Sequence, residues 1–260
     1  YQTICGAMTV DFQGHARTMP EMGKFVLEPD RNLRRDAWLA SSARRLKDAD
    51  ALDDILDRML SLRHKIATNA GFNNYLEYKF KEYHRFDYTI EDCVRYHEAV
   101  EKIVVPALKN IARTRCELLK CGTLRPWDFD MRSPVDPKAR APLKPFETVE
   151  QLKAGCAKIF AQISPVFAEQ FAIMNSSGLL DLQSRKGKAP GAYQASLNEA
   201  RKPFVFSNAV GTHRDVETLL HEAGHAFHSI ACVNEPLLAY RHAPIEFCEV
   251  ASMGMELLGS

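Results

Sequence analysis

Apolar residues recur at helical spacing through most of the chain from Pro29 onward, and turn chemistry cuts that pattern into segments. Helices are predicted over about 30–47, 51–69 and 73–83, with Gly71 standing just beyond the second as a stop. Thr89-Ile-Glu-Asp92 has the form of a capping box and opens an amphipathic stretch that reaches about Leu119 and ends at Gly122. Pro106 interrupts that stretch, so a kink or a pair of helices is expected there. The first 28 residues alternate only loosely, with turn residues at Gln13-Gly14, Pro20 and Gly23, and predict a weak hairpin or an irregular lead-in. Pro126, Pro134, Pro137, Pro142 and Pro145 remove helix and sheet as options and point to an extended surface crossing. Thr148-Val-Glu-Gln151 reopens a helix; Ser164-Pro165 begins another, which runs to about Ser176 and stops at Gly178.

Beyond Lys186 the texture changes. GKAPGAYQASLNEARKPFVFSNAV contains apolar and aromatic runs of strand length, predicting strands near 191–197 and 203–209, while Arg185-Lys186-Gly187-Lys188 reads as a solvated loop. Thr212-His-Arg-Asp215 then opens a further helix. At about 100° per residue from Val216, the side chains of Leu219, Leu220, Ala223, Phe227 and Ile230 fall within about 60° and make a core face. His221, His225 and His228 lie at about 120–180°, on the opposite side, where a surface helix would normally carry flexible charges.

Length and composition set the class. The 260 residues allow one large or two ordinary domains with a real core. The fold expected is mainly α, with a small sheet beside the histidine-bearing helix. Its parts are a helical region over 1–125, the proline-rich crossing over 126–146 and a second region over 147–260. A net charge of +1, from 34 basic and 33 acidic residues, argues against nucleic acid or a membrane surface as a partner recruited by general electrostatics. Seven scattered cysteines without a CxxC pair suggest no disulfide framework and a cytoplasmic home. No run approaches the 18 or more apolar residues of a membrane span. Residue 1 is Tyr, so the sequence reads as a processed chain or a piece of something longer.

The chemistry concentrates at His221-Glu222-Ala223-Gly224-His225, which is HExxH. Residues four apart share a helix face, so the two imidazoles can occupy two corners of a zinc tetrahedron. Glu222 points elsewhere and is suited to take a proton from a metal-activated water. A catalytic zinc needs a third protein ligand, and a second acidic helix beginning near Pro244, in APIEFCEVASMGMELLGS, offers Glu246, Glu249 and Glu256. Glu246 and Glu249 share a face and periodicity does not choose between them, whereas Glu256 lies two turns on and would have to reach back. The competing reading is a non-enzymatic helical interaction module with incidental histidines.

HEAGHAFH followed by EFCEVAS resembles the HExGHxxH and FxExxS elements of the oligoendopeptidase F and thimet oligopeptidase family of zinc peptidases. Residues 187–229, with LRHKIATNAGFNNYLEYKF and RFDYTIEDCVRYHEAV earlier, are similar to its bacterial oligoendopeptidase branch. The resemblance implies a gluzincin-type endopeptidase that cleaves oligopeptides, with one zinc per chain held by His221, His225 and Glu249 and with Glu222 as base. Ser252, Glu246 and His228 then become supporting residues around the ligands. Phe204 to Asn208 is expected to form the edge strand along which an extended peptide pairs, with Phe204, Phe206, Ser207 and Tyr193 as candidate substrate contacts; His213, His242 and Tyr240 are further candidates. The family also uses Tyr and His side chains well beyond the ExxS helix to stabilise the oxyanion. MGMELLGS shows no cap before Ser260, so a cut helix and an incomplete catalytic region are expected.

Overall fold

The computed structural model describes residues 1–129 and 143–259. The chain forms two compact units, Phe25–Pro142 and the combination of Tyr1–Lys24 with Leu143–Ser260. The first 24 residues therefore group with the HExxH region and not with the helices that follow them. Most of the expected proline-rich crossing lies outside the described residues.

Helix α1 (Gln2–Ala7) precedes a hairpin of β1 (Thr9–Phe12) and β2 (His15–Thr18) and a one-turn helix, α2 (Met19–Met22). The hairpin closes tightly because Gln13 and Gly14 both take positive φ, 52° and 76°, as a two-residue turn between twisted strands demands. Thr18 ends β2 and caps α2, and its hydroxyl meets that of Ser184 at 3.1 Å.

The Phe25–Pro142 unit is helical: α3 (Arg31–Leu46), α4 (Ala49–Asn69), α5 (Tyr75–Glu82), α6 (Ile90–Ala99) and α7 (Val105–Leu118). Asp30, Asn74 and Thr89 cap α3, α5 and α6 through their side chains. Between α6 and α7 runs a π-helical turn, Val100–Val104, in which the Val105 N–H bonds the Val100 carbonyl five residues back. Pro106 lacks an N–H, and the widened turn accommodates it where a regular helix would clash. The extended crossing expected from Pro126 needs correction at its start, because Pro126–Asp128 forms a 3-10 turn and buries Asp128 completely. Its carboxylate accepts from Arg31 at 2.8 and 3.0 Å, from buried Arg34 at 3.0 Å and from the Arg125 amide at 2.9 Å. Arg34 also donates to the carbonyls of Glu28, Pro29 and Trp127, so the segment after α7 is clasped onto α3.

In the other unit α8 (Val149–Ile163) and α9 (Pro165–Ser176) lead into a three-stranded sheet of β3 (Leu180–Gln183), β4 (Tyr193–Leu197) and β5 (Lys202–Ala209), followed by α10 (His213–Ala231) and α11 (Cys248–Gly259). Strand order is β3-β5-β4, with β5 parallel to β3 and antiparallel to β4. This overturns the expectation that Phe204 to Asn208 is an edge: β3 pairs with it on one side, so β5 is central and β4 is the edge on the other side. Lys188 is likewise not solvated. It is 7% exposed, and its ammonium bonds the carbonyls of Asp181, Gln183 and Ser207 and the Asp181 carboxylate, tying β3 to β5.

The core lies where α8, α9, α10 and α11 meet the sheet, with Phe160, Phe171, Leu182, Val205, Leu219, Ala223, Phe227 and Met255 buried together. Phe160 contacts Phe171 and Phe227 at centroid distances of 4.9 and 5.1 Å, and Phe167 stacks on Phe227 at 4.7 Å. Among the described residues no helix is long and apolar enough to cross a membrane.

Candidate metal centre

Helix α10 carries the chemistry, and its entry is pinned before its first turn. One oxygen of Asp215 accepts from the amides of Val210, Gly211 and Thr212 at 3.0, 2.9 and 2.7 Å and from the Thr212 hydroxyl at 2.9 Å. Strand β5 thus hands directly to the helix through Gly211, whose φ of 104° favours glycine. Leu219, Leu220, Ala223 and Phe227 face the core, which turns His221 and His225 to the opposite side against α11.

Gly224 sets how closely α11 approaches. A Cβ there would lie 2.6 Å from the Ala251 carbonyl oxygen and 2.7 Å from the Ser252 Cα, backbone atoms that have no flexible end to move aside. At that separation Glu249 in the first turn of α11 reaches both histidines. His221 Nε2 lies 3.2 Å from His225 Nε2 and 3.2 Å from Glu249 Oε2, and His225 Nε2 lies 3.5 Å from the same oxygen. These three atoms are the described group of His, Cys, Asp or Glu donors placed to hold one metal ion.

The surroundings prepare the donors for a cation. Glu256 Oε1 lies 2.5 Å from His221 Nδ1, which fixes the proton on that nitrogen and turns the Nε2 lone pair toward the cluster. Burial holds the His225 imidazole below its ordinary pKa and so favours the neutral form; Glu249 and the Cys248 backbone oppose that shift. Two imidazole nitrogens and a carboxylate oxygen thus converge on one point, an arrangement of donor atoms that could hold a cation. Bonds of about 2.0–2.1 Å would put tetrahedral corners about 3.3–3.4 Å apart, and the observed 3.2–3.5 Å spacings match. Ser252, fully buried, donates to the Glu249 carboxylate at 2.8 Å and holds it in place.

Glu222 stands beside this cluster without joining it. It is 6% exposed, and burial raises its pKa, with His221 and the Gln194 backbone opposing and the Glu249 charge adding to the rise. A carboxyl moved in that direction is a better proton acceptor than an exposed glutamate. It lines a cleft of about 570 Å³ with His221, Glu256, Ser207, Asn208 and Gly191.

The sequence matches the profile of peptidase family M3 over residues 25–259. The chain belongs to that family. Among M3 and related proteins it is 24% identical to the oligoendopeptidase F homolog of Borreliella burgdorferi over 97% of this chain and 42% of that protein. It is 28% identical to the chromosomal oligoendopeptidase F of Lactococcus lactis subsp. cremoris over 57% of this chain and 23% of that one. Its fold superposes on the crystal structure of a putative oligoendopeptidase F from Bacillus anthracis str. Ames with a TM-score of 0.91 and 28% identity, covering 98% of this chain and 46% of that one. A structure of PZ peptidase A with an inhibitor gives a TM-score of 0.91 at 30% identity, covering 98% and 45%. The M3 chain described here thus spans less than half the length of these relatives.

The remaining residues singled out in this M3 chain are dispersed. Ser207 lines the cleft. Phe206 is buried, its ring stacked on Tyr193 at 4.8 Å and 4.4 Å from the Lys188 ammonium, while Phe204 is half-buried opposite Ala195. His228 is half-buried in the last turn of α10, and Glu246 is exposed in the 3-10 turn Ile245–Phe247. His213 pairs with Glu217 at 3.3 Å; Tyr240 and His242 are exposed. Glu256 is the residue that sequence reasoning undervalued. The available signal was its seven-residue spacing from Glu249, which puts both on one helix face.

Proposed function

We propose that this chain carries the zinc-binding core of an endopeptidase that hydrolyses internal bonds of oligopeptides, with His221, His225 and Glu249 as the zinc ligands. The observation that carries this is the convergence of three donor atoms, 3.2–3.5 Å apart, beside a buried carboxyl that opens onto a cleft. Zinc bound there supplies Lewis acidity toward the scissile carbonyl and toward water. Glu222 is the general base: its carboxylate takes the proton of the attacking water and can return it to the leaving amine. Glu256 keeps His221 in the tautomer that presents Nε2, and Ser252 keeps Glu249 turned toward the histidines. β4 is an edge of the sheet, and Gly191 and Ala192 just before it line the cleft, so an extended peptide leaving the cleft would be held along that edge by strand addition. Oligopeptides as substrates rest on the family and on the names its relatives carry, and the seven free thiols fit a cytoplasmic setting.

Metal binding and hydrolysis are separate tests, because the chain spans less than half the length of its relatives. The purified chain should hold one zinc, lost on His221→Ala or Glu249→Ala. In any form that cleaves an internally quenched peptide, Glu222→Gln should keep the zinc and lose about 10²–10⁴-fold in rate. A Gln variant with wild-type turnover removes Glu222 from the mechanism.

A further inference from the structure

Helix α7 ends in a turn that brings two cysteines together. The Cys121 N–H bonds the Cys116 carbonyl at 3.1 Å, the Lys120 N–H bonds the Glu117 carbonyl at 3.0 Å, and Lys120 takes a φ of 50°. This six-to-one and five-to-two pairing around a left-handed residue is the Schellman motif, in which the residues at the two ends of the longer bond are side-chain neighbours and commonly make an apolar contact. Here both positions are cysteine. Their half-buried sulfurs lie 3.6 Å apart, within hydrogen-bonding distance of each other and not joined in a disulfide. The backbone cap therefore holds the thiols together before any chemistry occurs.

A cation stands beside this pair. The pKa of the Arg31 guanidinium is raised first by its hydrogen bond to Asp128, against some burial, and to a smaller extent by Cys121 and Cys116, which places a cation beside both sulfurs. The hydrogen bond with Cys121, with burial and the neighbouring negative charges, raises the Cys116 thiol against a smaller opposing effect of Arg31. Cys156 provides the contrast: burial in the core pushes its thiol up to about 12, which leaves it inert.

We propose that Cys116 and Cys121 form a dithiol site that exchanges with low-molecular-weight disulfides and closes to a reversible disulfide across the end of α7. One thiolate attacks a sulfur of the small disulfide RSSR, forming a protein–SR mixed disulfide and expelling RS⁻. The second thiolate attacks the protein sulfur of that mixed disulfide and expels the second RS⁻. Two thiols and RSSR give one protein disulfide and two RSH, with the protein oxidised and the reagent reduced. The covalent ring would close beside the clasp, since Arg31 also binds the Thr123 carbonyl at 3.1 Å and the Asp128 carboxylate.

The test incubates the full chain with glutathione disulfide, alkylates the remaining thiols and maps the products by mass spectrometry. The wild type should yield a Cys116–Cys121 linkage two hydrogens lighter than the dithiol, without retained glutathione at either position, and dithiothreitol should restore both thiols. Cys116→Ser and Cys121→Ser should each stall with one glutathione on the surviving sulfur. The proposal is overturned if the wild-type pair stays fully alkylatable, keeps a glutathione adduct, or links to any other cysteine.

Discussion

His221 is gripped at both ring nitrogens by carboxylates seven residues apart on α11, Glu249 at Nε2 and Glu256 at Nδ1. A neutral imidazole has one proton to place, and the nearer carboxylate, at 2.5 Å, takes it on Nδ1. Glu256→Gln keeps a partner there but removes its charge, so the ring becomes a weaker donor. Metal affinity should fall about 10–100-fold, measured by competition with a chelating dye, while thermal stability without metal changes little. An unchanged affinity would make Glu256 a bystander. Gly224 acts through space and not through bonding. Gly224→Ala places a Cβ 2.6–2.9 Å from the backbone of Ala251 and Ser252, so α11 must retreat and carry Glu249 with it. The expected cost is about 1–3 kcal/mol in unfolding together with weakened metal binding, read by denaturant titration and metal titration of the same variant.

At the scale of elements the junction between β5 and α10 matters most, because it sets the angle at which the HExxH turn meets the cleft. A single Asp215 oxygen gathers four donors there, three of them backbone amides of the connecting turn. Asp215→Ala removes the cap and leaves those amides to find water, which should lower stability by about 2 kcal/mol. Asp215→Asn should recover part of that, so a melting series of the three proteins checks the role. This cap was legible in the sequence, as were those at Thr89 and Thr148, because each rests on residues three apart and needs nothing distant. The HExxH helix and its core stripe were legible for the same reason. Strand β3 was not: four residues, LDLQ, pair in parallel with a strand more than 20 positions later, and no local turn announces them. Missing it made β5 look like an edge. Lys188 misled similarly, since a lysine in a basic, glycine-containing run looks solvated until the carbonyls of two strands close around its ammonium. Glu256 and Gly224 belong to a third kind, in which the residues are visible but their roles depend on how closely two helices pack.

Across the whole molecule acid should act on the two units through different carboxylates. Asp128, in the Phe25–Pro142 unit, would be raised by burial, but its bonds to Arg31, the Arg125 amide and Arg34 outweigh that and hold it at about 2, below the ordinary 3.8. Asp181, in the other unit, is held at about 2 first by Arg185, against some burial, and then by Lys188. A carboxyl whose folded pKa is depressed favours the folded state fully above its unfolded value. That contribution erodes as pH falls from about 4 toward 2 and is absent below both values. Both tryptophans of the chain, Trp38 and Trp127, sit at the Asp128 clasp with ring centroids 5.7 Å apart, so their fluorescence isolates this unit. Denaturant titrations followed by tryptophan emission should therefore show stability falling between pH 4 and pH 2 in the wild type. Asp128→Asn should begin about 3–5 kcal/mol less stable at neutral pH, because buried Arg34 loses its counter-charge, and its acid limb should then be shallower than that of the wild type, with the remaining slope coming from Glu82 and Asp92, which are also held low in this unit. Asp181→Asn should leave the tryptophan-reported acid limb unaltered. If it flattens that limb instead, the units unfold as one and the assignment of the limb to Asp128 fails.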